Sequence, residues 1–63
     1  MQPDELRRLR KDAGMTLAQM AEALGMSLDS ISRMERGVAG YPIERRTELA
    51  ARYVVEVLRP VGG

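Results

Sequence analysis

Residues 16 to 37 read TLAQMAEALGMSLDSISRMERG, two short helical patterns set almost end to end. Thr16 and Gln19 have capping-box spacing: the Thr hydroxyl accepts from the third helical N–H and the Gln side chain returns to the cap's own N–H. Met15 and Met20 stand at hydrophobic-staple spacing around them, and Leu17, Met20, Ala21 and Leu24 give one apolar face. Gly25 supplies the left-handed residue that ends a helix. A second start follows at once. Ser27 is its N-cap, Met26 and Ile31 repeat the staple, Ile31 and Met34 face inward, and Gly37 closes it. Helices that only fill a core rarely need so short a join.

Working outward, PDELRRLRKDAG (residues 3 to 14) predicts a preceding helix. Pro3 sits in its first turn, Asp4 and Glu5 stand where the helix dipole favours acids, and Leu6, Leu9 and Ala13 form its apolar stripe up to Gly14. On the other side VAGYP reads as a loop. PIERRTELAARYVVEVLR then predicts the longest helix, about residues 42 to 59, stopped by Pro60. Its apolar positions fall in two rows. Ile43, Ala50, Val54 and Leu58 are expected to close the core, which leaves Leu49, Tyr53 and Val57 in search of a second partner. The whole reads as one all-α domain over residues 1–63, a compact four-helix arrangement with a long C-terminal helix.

Composition narrows the function. The chain has no Cys and no His, which removes disulfides, thiolate nucleophiles, the usual zinc-ligand sets and imidazole acid–base chemistry. Its nine Asp and Glu are scattered along charged faces, so no enzyme, metal site or cofactor is expected. No apolar run approaches the length of a membrane span, and no signal-peptide core follows Met1, so the expectation is a cytoplasmic protein with no membrane partner. Net charge is only +1, unlike a polycation that coats nucleic acid indiscriminately. The basic residues are nine Arg and one Lys, and Arg is the better bidentate reader of phosphates and bases.

Two helices joined by a short turn containing Gly form the helix-turn-helix unit, whose second helix projects into the DNA major groove while the first braces across the backbone. Residues 6 to 37, LRRLRKDAGMTLAQMAEALGMSLDSISRMERG, resemble the helix-turn-helix family of phage repressors typified by lambda repressor and Cro. The small Ala21, the turn Gly25, the inward Ile31 and the closing ERG carry the likeness. The final helix is similar only loosely, since members usually have two further helices there.

The resemblance implies roles. The exposed face of the third helix, Leu28, Asp29, Ser32 and Arg33, would read bases. Arg33 suits guanine O6 and N7, Asp29 a cytosine amino group, and Leu28 a thymine methyl. Arg36 matches a phosphate-touching position, Ser27 is a cap with a secondary phosphate role, and Tyr41, Arg45 and Arg46 sit where members meet backbone or minor groove. Leu17 stands where the family often has Gln, which leaves its backbone N–H to meet a phosphate at the start of the second helix. Arg10 and Glu35 are implied to form a partly buried bridge, and Arg7, Arg8 and Lys11 a mainly solvated face. The expected function is a sequence-specific regulator of double-stranded operator DNA, a repressor or autoregulator of bacterial or phage origin. It would bind a palindromic site as a homodimer through Leu49, Tyr53 and Val57. A second reading, from another class, makes the last helix a docking face for a different protein, such as a toxin.

Overall fold

The computed structural model describes residues 1–58. Within them the chain forms four helices, α1 (Pro3–Asp12), α2 (Leu17–Leu24), α3 (Leu28–Arg36) and α4 (Arg45–Leu58), and no strand. Local chemistry sets each boundary. Pro3 occupies the first turn of α1, and the Glu5 carboxylate accepts from the Gln2 N–H at 3.0 Å. At the start of α2 the Gln19 N–H donates to Thr16 Oγ1 at 3.1 Å while the Thr16 N–H donates to Gln19 Oε1 at 2.8 Å, a reciprocal capping box. A cap of this kind is worth about 1 kcal/mol.

α2 and α3 are separated by Gly25, Met26 and Ser27, and each has a task. Gly25 adopts φ 68°, and its N–H and that of Met26 donate back to the carbonyls of Glu22 and Ala21, the paired bonds of a Schellman motif. A Cβ on Gly25 would meet nothing within 4 Å, so glycine is needed there for its left-handed backbone and not for space. Ser27 then opens α3, its Oγ accepting from the Ser30 N–H at 3.1 Å.

α3 packs on α1 and α2, and α4 closes against the same two helices. The shared core comprises Leu6, Ala13, Met15, Met20, Ala21, Ile31, Met34, Ala51 and Val55. It holds no aromatic ring. Three of its members are methionines, whose unbranched thioethers fill the irregular space between short helices.

α4 departs from the sequence expectation in two ways. It begins at Arg45 rather than Pro42, with the Glu48 N–H donating to the Glu44 carbonyl at 2.9 Å as its first bond. Its buried row is Ala51 and Val55, with Val54 half-buried, while Ala50 and Leu58 are exposed. Ile43 is half-buried against the core but lies before the helix, so a helical period counted from it starts about one residue out of phase. Arg59 and Pro60, the expected end and stop, lie outside the described residues.

Candidate nucleic-acid interface

α3 turns Ile31 and Met34 inward and presents a different set outward. Leu28 is half in solvent, Asp29 and Arg36 are exposed, and Ser32 and Arg33 are partly so. Arg33 is held from two sides. Its Nε donates to Asp29 Oδ2 at 2.8 Å, one turn back along the helix, and its guanidinium lies 5.2 Å from the ring centroid of Tyr41 in the loop after α3. Asp29 also stands in the first turn, where the helix dipole favours an acid. Arg36 makes only a long bond, Nε to the Ser32 carbonyl at 3.3 Å. The Ser27 hydroxyl is engaged with Ser30, donating to its Oγ at 2.8 Å and accepting from its N–H.

Beneath this face a buried ion pair ties α3 to α1. Arg10 is 8% exposed, and its Nε and Nη2 meet Glu35 Oε2 and Oε1 at 2.7 and 3.0 Å. Its Nη1 donates to the Met15 carbonyl at 2.8 Å, so one guanidinium joins α1, the approach to α2 and α3. The fork geometry meets both carboxylate oxygens, the arrangement that offsets the cost of burying charge. Among the described residues no buried side-chain polar atom lacks a partner.

The other basic residues divide by partnership. Arg8 pairs with Asp4 at 3.1 Å, Arg46 with Glu44 at 3.2 Å, and Arg52 with Glu48 at 3.0 Å. Among the described residues Arg7, Lys11, Arg36 and Arg45 are in no salt bridge. Three of these four line one cleft: Arg7 and Lys11 from α1 and Arg36 from α3, with Leu17 at the start of α2 and Ser32 between them. The neutralised Arg10–Glu35 pair also lines it, so the cleft carries an excess of positive charge. Counting charges along the sequence does not reveal this, because the grouping depends on how α1 lies against α3.

A second uncovered surface has opposite chemistry. On α4, Leu49, Tyr53, Val57 and Leu58 are each more than half exposed, with Tyr53 at 69%. Glu48 on the same helix accepts from Arg52 and also meets the terminal ammonium of Met1 at 3.3 Å. The Arg52 hydrogen bond first, then the ammonium, lower its pKa below the ordinary carboxylate value. Among the described residues no helix is long and apolar enough to cross a membrane, and no cluster of acids has the makings of a metal site.

A family model described as a helix-turn-helix domain matches residues 4–56. No curated protein and no solved structure matches the chain. The matched span runs from the first turn of α1 almost to the end of α4 and includes both capped helices and the Gly25 join. The chain belongs to the helix-turn-helix domain family.

Proposed function

We propose that this chain is a sequence-specific regulator of double-stranded DNA, a repressor or autoregulator that acts by occupying its operator. Its family supports DNA as the partner. The observation that carries the reading further is the segregation of unpaired positive charge. In a chain of net charge +1, Arg7, Lys11 and Arg36 gather without salt-bridge partners at a cleft whose one carboxylate, Glu35, is taken by Arg10 and which shares Ser32 and Arg36 with the outward face of α3. Cations left unneutralised on one face attract a polyanion to that face, and release of its counterions drives binding.

In this reading α3 enters the major groove, where Arg33 reads guanine, Leu28 packs on a thymine methyl, and Ser32 lines the remaining edge. Arg36, the Leu17 N–H and the Ser27 cap face one stretch of phosphates. Arg45 and Arg46, beyond the loop, face the flanking backbone. The exposed row Leu49, Tyr53 and Val57 supports a symmetric homodimer, since large apolar groups in a row mark an interface. Two recognition helices would then lie in successive major grooves about 34 Å apart on a palindromic site. The same row supports a second reading, in which α4 docks a different protein such as a toxin.

Selection of bound duplexes from a randomised pool tests the proposal. The expected product is a twofold-symmetric sequence with half-sites about one helical turn apart. Failure to enrich any duplex would contradict the DNA reading, and enrichment of a single unrepeated half-site would contradict the dimer.

A further inference from the structure

The guanidinium of Arg33 is fixed before any ligand arrives. Asp29 takes its Nε at 2.8 Å, and the Tyr41 ring lies 5.2 Å beneath its central carbon. Its two Nη groups have no protein partner among the described residues. The two contacts come from different parts of the chain, the first turn of α3 and the loop beyond Gly37. Together they set the plane of the fork and its direction while leaving the far edge with its donors free.

A free arginine on a helix surface samples many rotamers and must give up that freedom when it binds. A planar fork held by a carboxylate on one side and a ring face below has already lost most of it. We infer that Asp29 and Tyr41 are positioning residues, which act on base recognition through Arg33 and not by touching DNA themselves. The inference rests on the DNA reading above and deepens it. It assigns the specificity element to a three-residue unit, of which only one member makes the base contact. It also gives Asp29 two opposed effects. Its charge repels phosphate from every duplex, while its grip on Nε sharpens the choice among them.

The test uses the full chain and the duplex obtained by selection, with single-base variants at each position. Arg33→Ala identifies the base pair that Arg33 reads. Tyr41→Ala is expected to lower discrimination at that pair about two- to fivefold, the worth of an exposed cation–π contact, with other pairs unchanged. Tyr41→Phe keeps the ring and is expected to behave as the parent. Asp29→Asn is expected to strengthen binding to unrelated duplex while discrimination at the Arg33 pair falls, a combination that a merely structural defect does not give. In an Arg33→Ala background both substitutions should leave that pair's discrimination unchanged.

A uniform loss of affinity in Tyr41→Phe that persists without Arg33 would overturn the inference, because the phenol would then be a direct contact. So would unchanged discrimination in Tyr41→Ala. The device is also tested without DNA, through the ring-current shift of the Arg33 side-chain protons in the NMR spectrum of the free protein. That shift should be present in the parent and Tyr41→Phe and absent in Tyr41→Ala. Its absence from the parent would overturn the device, whereas its presence in a protein that enriches no duplex would leave the device standing and remove the DNA reading.

Discussion

α3 and α4 both leave one face in water, and the two faces are built from opposite materials. That of α3 carries Asp29, Ser32, Arg33 and Arg36 around a single apolar group, Leu28. That of α4 carries Leu49, Tyr53, Val57 and Leu58. Their undersides differ as well. α3 is fastened to α1 by the bidentate, buried Arg10–Glu35 pair in addition to Ile31 and Met34, whereas α4 rests on Ala51, Val55 and the half-buried Val54, with a single contact of Glu48 to the Met1 ammonium. A polar face that must hold a charged partner at a fixed angle needs a support that does not slide, and a bidentate ion pair is directional where methyl packing is not. An apolar face gains its energy from area and tolerates small rotations. The contrast fits a helix that reads sequence beside a helix that joins copies.

Breaking the support of α3 gives the largest expected effect. Glu35→Ala strands the Arg10 guanidinium in a place where it is 8% exposed, and removing one partner of a buried pair costs about 3–5 kcal/mol. Thermal denaturation should show a fall in Tm of more than about 10 °C for a domain of this size. An unchanged midpoint would mean that the ion pair does not fasten α3.

The face of α4 comes next. Sedimentation of the parent at tens of micromolar should show a dimer. Val57→Asp or Tyr53→Asp should weaken it at least about a hundredfold, about 2.7 kcal/mol, by placing a charge in the apolar contact. A monomeric parent, or variants that stay dimeric, would move the interface elsewhere and blunt the contrast between the two faces.

On α3 itself, Arg33→Ala should cost about 1–3 kcal/mol against single-base variants at one position only, the worth of a bidentate guanine contact. Equal weakening of all variants would make Arg33 a phosphate contact. The smallest effect belongs to Glu48. Its pKa is lowered below 4.5 by Arg52 and the Met1 ammonium, so its contribution is present above that pH and lost as pH falls below it. Acid titration of stability should therefore be steeper below about pH 4.5 in the parent than in Glu48→Gln. Parallel curves would show that the bridge adds nothing to the seating of α4.

The same two helices separate what the sequence reveals from what it hides. The join between α2 and α3 was legible because every device in it is local: Thr16 with Gln19, Gly25, and Ser27 act within four residues of themselves. The inward row of α4 was not, because a helical period carries no information across the non-helical Ile43 and Glu44. The four-residue spacing of Asp29 and Arg33 is visible in the sequence and marks a helix-surface pair. The approach of Tyr41 to Arg33 is not visible, since it depends on how the loop folds back over α3. Arg7 and Lys11 likewise read as mainly solvated charges until α1 is laid beside α3 and its Arg36.

If the unpaired cations at the α1–α2–α3 cleft meet DNA phosphates as proposed, the salt dependence of duplex binding reports each contact. The slope of log K against log salt falls by about one unit for each phosphate contact removed. Arg7→Gln, Lys11→Gln and Arg36→Gln should each lower the slope by about that amount. Arg8→Gln and Arg52→Gln, whose parent side chains already pair with Asp4 and Glu48, should leave it unchanged. Equal slopes for all five variants, or a loss confined to the Arg8 and Arg52 pair, would contradict the account.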